Sequence, residues 1–145
     1  MTIPRKQLVN DDQVGVYHCV SRCVRRAFLC GQDSVSGKDF SHRRMWIRER
    51  MEFLAGSFSI DIGSYGLMEN HIHCICRTRP DLRDMWSNEE VVRRWKRVYP
   101  GKRKRSSRSG ESEELTPEEI AKLAVDGPQV AKWRRRLGNL GEYMK

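Results

Sequence analysis

MENHIHCIC, residues 68–76, holds two of the four histidines in this chain, separated by a single isoleucine. Successive side chains of a strand point to opposite faces, so residues i and i+2 share one. On that period His71, His73 and Ile75 lie together, and Ile72, Cys74 and Cys76 lie opposite. The second set is continuously apolar and predicts the face turned toward a helical layer. The first set is polar at two positions and predicts an open surface or cleft. Two neutral imidazoles with neighbouring Cβ atoms can hold one divalent ion and leave positions for a phosphate oxygen. Taken alone, an HxH pair on a strand is more often a hydrogen-bonded or surface pair than a metal site. Cys74 and Cys76 cannot join it, because they point the other way. Glu69 shares the parity of His71 if the strand extends back that far, which makes it a third possible ligand.

Working outward, SIDIGSYGLM at 59–68 alternates as a second strand, and Asn70 supplies turn chemistry between the two, so a hairpin is expected. VGVYHCVSR at 14–22 is rich in β-branched and aromatic residues and reads as the first strand. Its odd and even positions divide into Gly15, Tyr17, Cys19 and Ser21 against Val14, Val16, His18 and Val20. After the loop GQDSVSG at 31–37, Phe40, Ile47, Met51, Leu54 and Phe58 repeat at helical spacing and predict a helix over 39–56. Arg43, Arg44 and Arg48 occupy its other side. Ser87 and Glu90 form a capping box before a helix marked by Val91, Trp95 and Val98, which also carries Arg93, Arg94, Lys96 and Arg97.

GKRKRSSRSGESEEL, 101–115, switches from basic to acidic and predicts an exposed charged loop. Thr116, Pro117 and Glu119 open a short helix ending at Asp126-Gly127. Pro128 opens the last one, whose stripe of Val130, Trp133, Leu137, Leu140 and Met144 runs through to Lys145. The coarse order β-α-β-β-α, then helices, predicts an α+β fold: a ferredoxin-like split β-α-β antiparallel sheet with helices on one face and additional C-terminal helices. A fourth strand is expected from 76–85 or from the charged loop.

At 145 residues the chain reads as a single domain, residues 1–145. Its 28 Lys and Arg against 19 Asp and Glu give a net charge of +9. A polyphosphate backbone rewards that excess most, through counterion release. The five cysteines include no CxxC, and they read as reduced, mostly buried small hydrophobes. With no signal-peptide pattern and no apolar run of membrane length, a soluble cytoplasmic protein with no membrane partner is expected. His18, on the first strand, and His42, near a helix start, read as structural or solvated.

VYHCVSR at 16–22, GSYGLMENHIHCIC at 63–76 and WRRRLGNLGEYMK at 133–145 together resemble the REP-associated tyrosine transposases. These belong to the wider single-tyrosine insertion-sequence (IS200-like) transposases with a histidine–hydrophobic–histidine signature. The hairpin motif M-x-N-H-x-H stands here as Met68 to His73, with Glu69 where proline is common. The resemblance implies a ferredoxin-like nuclease domain acting on single-stranded or hairpin DNA, and it allows a homodimer. It implies that His71 and His73 hold Mg²⁺ or Mn²⁺. It also implies that a helix-borne tyrosine attacks the scissile phosphate, frees a 3′-hydroxyl and becomes linked to the DNA 5′ end.

On the last helix the only tyrosine is Tyr143, which helical phase puts about 100° from the centre of the apolar stripe, beside Asn139 and Arg136. It is the one candidate nucleophile within the chain, with a solvated flank tyrosine as the plain alternative. In the resembling family an aromatic precedes the nucleophile by about two turns. On that pattern residues 128–145 are the start of the tyrosine-bearing helix, Tyr143 fills the preceding position, and the nucleophile is expected beyond Lys145. The basic residues Arg43, Arg44, Arg48, Arg93, Arg94, Lys96 and Arg97 are the expected DNA contacts. The competing readings are a hairpin-DNA-binding module that does not cut, and an RNA-binding domain, which lacks an RNP-like aromatic pair on any expected strand.

Overall fold

The computed structural model describes residues 5–23, 28–101 and 115–145. Strands β1 (Val16–Arg22), β2 (Ile60–Leu67) and β3 (His71–Thr78) form one sheet in the order β1-β3-β2. Helices α1 (Arg5–Leu8), α2 (Arg43–Ala55), α3 (Pro80–Met85), α4 (Asn88–Val98), α5 (Pro117–Ala124), α6 (Gly127–Leu137) and α7 (Leu140–Tyr143) complete the described elements. Since β3 pairs antiparallel with both neighbours, β1 and β2 run the same way, with α2 in the connection between them. The architecture is α+β, as the order of patterns predicts.

The expected hairpin is present: β2 and β3 meet through residues 68–70, and the Met68 amide donates to the His71 carbonyl at 2.9 Å. The register of β2 shifts between Ile62 and Ser64, where Ile62 opposes Cys76 and Ser64 opposes Ile75. Gly63 is the extra residue of this bulge, and an extra residue exchanges the two faces of everything after it. Ile60 and Ile62 before it, and Tyr65 and Leu67 after it, therefore share the face of Thr78, Cys76, Cys74 and Ile72. Simple alternation would have put Leu67 opposite Ile60.

That face is the one the helices cover. Ile60, Cys74 and Cys76 are buried together with Val91, Val92 and Trp95 of α4, Val130, Trp133 and Leu137 of α6, and Met51 of α2. Trp95 and Trp133 stack with ring centres 5.7 Å apart, which joins α4 to α6. Cys30, Cys74 and Cys76 are buried, Cys19 and Cys23 are half-buried, and none is in a disulfide. Burial pushes the Cys76 thiol up to about 12, and pushes Cys74 up as well, so both behave as small apolar groups.

Several expectations are corrected. No fourth strand exists among the described residues: β3 ends at Thr78, and Pro80 then opens α3. Proline fits the first helical turn, where its missing N–H costs nothing. The charged loop falls largely outside the described residues, its residues 102–114 included. Helix α2 starts at Arg43 rather than 39, and of its stripe Met51 is buried within the helix and Phe58 beyond its end. Ser87 does cap α4 by accepting from the Glu90 amide, but the Glu90 carboxylate turns to Arg94 Nε, 2.6 Å away. The reciprocal capping box occurs at Thr116 and Glu119 instead.

The largest correction is at the end of the chain, where one continuous helix was expected. Helix α6 stops at Leu137, and Asn139, in an extended conformation, caps a separate turn by accepting from the Glu142 amide. Asp11 reinforces the break from far away in sequence: its carboxylate accepts from the Leu140 amide at 3.1 Å and from Asn139 Nδ2. At Gly138 the backbone presses on the buried Arg83, so a Cβ there would lie 2.7 Å from Arg83 Cδ and 3.3 Å from Ser59 Oγ. Arg83 itself is held by Asp12 at 3.0 Å and Asp84 at 2.8 Å. Overpacking of this kind costs about 1–3 kcal/mol. Gly138→Ala is therefore expected to lower the unfolding free energy by that order, read from a denaturant titration. Gly127→Ala, at a helix start with nothing within 4 Å of the new methyl, should be neutral or stabilising by up to about 1 kcal/mol.

Candidate functional site on the open face of the sheet

Among the described residues, the second face of the sheet carries none of the buried core. Cross-strand pairing places Val16 with Arg77, His18 with Ile75, Val20 with His73 and Arg22 with His71 on this side. Val16 and Val20 are 67% and 51% exposed, while His71 and His73 are half-buried. The face is polarised along the strands. At one end Arg77 and Arg79 pair with Asp61 at 2.7 and 3.1 Å. At the other, Arg22 and three imidazoles gather.

The pairing of His71 and His73 on one face, expected from strand period, is present, with ring centres 4.8 Å apart in an edge-to-face arrangement. What the sequence does not contain is the register that adds His18. Val20 opposes His73, so His18 is the diagonal neighbour, within reach for an aromatic side chain. His18 Nε2 and His73 Nδ1 are 2.8 Å apart. The two ring centres are 5.0 Å apart and the ring planes differ by 19°. That centre separation is close to the N···N distance plus the two ring radii, so the imidazoles meet edge to edge in nearly one plane. The contact is a hydrogen bond rather than a face-to-face stack. His18, read from sequence as structural or solvated, thus belongs to the cluster; its place on the outward face of β1 was the only local signal.

Asn70, expected only as a turn residue, is a fourth member. Its Oδ1 is 2.6 Å from His71 Nδ1, and its backbone carbonyl accepts from the Cys23 amide at 2.9 Å, which ties the turn to the end of β1. Glu69 is not a ligand. Its side chain lies against Gly31, and its carbonyl accepts from the Leu29 and Cys30 amides. No group of three or more His, Cys, Asp or Glu among the described residues is arranged to hold a metal ion. His71 and His73 could hold one through two nitrogens, with water or phosphate oxygens completing the sphere. Such an imidazole set without carboxylates suits Mn²⁺ better than Mg²⁺. His42 stands apart, packed edge-on against Trp46.

Tyr143 is on the wrong side of the sheet for this chemistry. It is 5% exposed and packs edge-on against Phe58 with ring centres 5.6 Å apart. Burial first, then the nearby thiols of Cys76, Cys74 and Cys19, push its phenol well above the usual range. Those thiols belong to the helix-covered face, so the sheet separates the phenol from the imidazoles. The expected solvated flank position came from extending one helix to Lys145, and the break at Gly138 rotates the residue inward. Its hydroxyl is buried without a hydrogen-bond partner among the described residues.

The expected DNA contacts divide as well. Arg43 donates to the Phe28 carbonyl at 3.1 Å and lies 4.2 Å from the Phe40 ring centre. Arg94 bonds Glu90 and the Gly56 carbonyl and covers Trp86. Lys96 and Arg97 lie over Trp133 and Phe53. These four close aromatic surface on the helical layer. Arg48 pairs with Glu52 at 2.9 Å on the exposed side of α2, and Arg93 approaches Glu90 only to 3.9 Å. Arg44 is exposed beside them on α2.

Two outcomes are expected. Desolvation, followed by the positive neighbours His71, His18 and Arg22, holds His73 below its ordinary pKa of 6.5. The folded state therefore binds fewer protons than the unfolded one, and His73 subtracts stability as pH falls through 6.5 toward its lowered value. An NMR titration should give His73 a midpoint below 6.5, moving up in His71→Ala. For Tyr143, removing an unpaired buried hydroxyl relieves a desolvation penalty of about 1–3 kcal/mol, so Tyr143→Phe should leave the melting temperature unchanged or raise it. Tyr143→Ala should cost about 3–5 kcal/mol.

No protein-family model, curated protein or solved structure matches this chain.

Proposed function

We propose that this chain is a transposase-like protein of the ferredoxin-like class that binds single-stranded or hairpin DNA on the open face of its sheet. The observation that carries the reading is the cluster of His18, His71 and His73 beside Arg22, on a face that, among the described residues, no helix of the core covers. A phosphodiester could approach that face, with cationic and hydrogen-bonding groups at one end of it. Arg44, Arg48 and Arg93 add basic groups on α2 and α4, on the helical side of the sheet, and the net charge of +9 favours such a partner. His71 and His73 would hold a divalent cation, Mg²⁺ or Mn²⁺. Its chemistry would be to polarise a phosphate and offset charge on the non-bridging oxygens.

Within the described residues the reading extends to binding rather than cutting. Cleavage needs a nucleophile in line with the bound phosphate, and misplacement by an ångström can cost about a hundredfold in rate. Tyr143 lies behind the sheet with its pKa raised, which favours the binding-module version of this function.

Three measurements test the proposal. Fluorescence anisotropy with a hairpin-containing DNA strand should give a log–log salt slope of about −0.7 per phosphate contact. Affinity that does not change between low and moderate salt would remove the nucleic-acid partner. Calorimetry with Mn²⁺ should show similar losses for His71→Ala, His73→Ala and the double variant, and unchanged binding in the double variant returns the pair to a structural role. With the same DNA and Mn²⁺, a denaturing gel should contain no covalent protein–DNA band. A band abolished by Tyr143→Phe would make Tyr143 the nucleophile after all.

A further inference from the structure

Whether two imidazoles on one strand can act on the same ligand depends on which ring nitrogen of each carries the proton. A neutral imidazole has one N–H donor and one lone pair, and the partner of one nitrogen fixes the role of the other. His71 and His73 each have an Nδ1 engaged by a neighbour on this face: Asn70 Oδ1 at 2.6 Å and His18 Nε2 at 2.8 Å. Neither of these contacts uses Nε2 of His71 or of His73. The two rings are therefore oriented alike in chemical terms, although their Nδ1 partners differ and come from different segments.

From this arrangement we infer that His18 and Asn70 are positioning residues, which set His71 and His73 in the Nδ1–H tautomer and leave both Nε2 lone pairs for a shared cation. At His71 an amide oxygen can only accept, so Nδ1 carries the proton. At His73 the in-plane contact with His18 admits two proton positions. With the proton on His73 Nδ1, His18 Nε2 accepts, and both members of the pair present lone pairs. With the proton on His18 Nε2, His73 would present an N–H and could bind an anion's oxygen but not a cation. The first arrangement is the one that makes His71 and His73 equivalent. The inference rests on the proposed cation site, and it gives His18 a role distinct from ligation, consistent with no third ligand joining the pair. Partners that orient ligating histidines in this way typically change metal affinity by about 10–100-fold.

The imidazole nitrogens of the full chain, labelled with ¹⁵N and read by long-range ¹H–¹⁵N correlation, decide the matter before any metal is added. His71 and His73 should both appear as Nδ1–H tautomers. In His18→Ala, His73 should shift toward Nε2–H while His71 is unchanged, and in Asn70→Ala the reverse should hold. His18→Gln retains an acceptor oxygen and should restore the Nδ1–H form at His73. Asn70→Asp, whose carboxylate only accepts, should keep it at His71. Because His18 is exposed, backbone amide shifts of β1 and β3 should survive these changes. Titration with Zn²⁺, a diamagnetic probe suited to imidazole, should show about tenfold weaker binding in His18→Ala and recovery in His18→Gln. An Nε2–H tautomer at His73 in the native chain, or one unchanged by His18→Ala, overturns the inference. The expected tautomers without Zn²⁺ binding would leave the positioning role standing and remove the cation from the proposed function.

Discussion

A strand hydrogen-bonded along both edges cannot roll about its axis, and β3 is such a strand. Every side chain from His71 to Thr78 is therefore committed to one face. A slip of one residue would bury imidazoles among the tryptophans of α4 and α6 and expose Ile72, Cys74 and Cys76 to water. Unpaired polar groups and lost apolar burial would both oppose it, so the hydrophobic alternation and the ladder reinforce each other. The histidine cluster is a consequence of this constraint. Its members come from β1 and β3, and their spacing is set by backbone register rather than by a local loop.

A second constraint acts in α3, just past the end of β3. Arg83 is buried to 7% exposure, and a guanidinium out of water has to be met by acceptors. Asp12, Asp84 and the Asp11 carbonyl meet it, which draws the segment before β1 across to α3. The same segment presents the Asp11 carboxylate to the start of α7, while Gly138 leaves room for the Arg83 side chain. Asp12 and Asp84 are largely exposed, so this knot contributes more to geometry than to energy. Its effect is to break α6 from α7 and to turn Tyr143 into the core against Phe58. The two faces of the sheet thus hold different chemistry: imidazoles and arginine outside, and a raised-pKa phenol with buried thiols inside.

Much of this was legible in the residues because period-2 and period-3.6 patterns are local. The hairpin, the helix bearing Trp95, the helix start at Thr116 and the outward face of His71 and His73 all follow from spacing within a dozen residues. The bulge at Gly63 was harder. Glycine marks where one can occur, but only the pairing of Ile62 with Cys76 and Ser64 with Ile75 places it there. The surroundings of the basic residues were out of reach for a similar reason. A charge pattern gives Lys96 and Arg97 a solvated head, and the rings beneath them come from other helices, Trp133 of α6 and Phe53 of α2.

By itself the sequence determined the sorting of side chains on β1 and β3, the coarse order of elements, the excess of positive charge and the pair at His71 and His73. Tertiary structure alone decided that His18 reaches His73, that Asn70 takes His71 Nδ1, and that the stripe from Val130 to Met144 is two helices. Contacts such as His18 to His73, 55 residues apart, and Asp11 to Leu140, 129 apart, depend on register and packing between distant segments. No local periodicity encodes such contacts, because they exist only once the β1–β3 ladder and the Arg83 knot have formed.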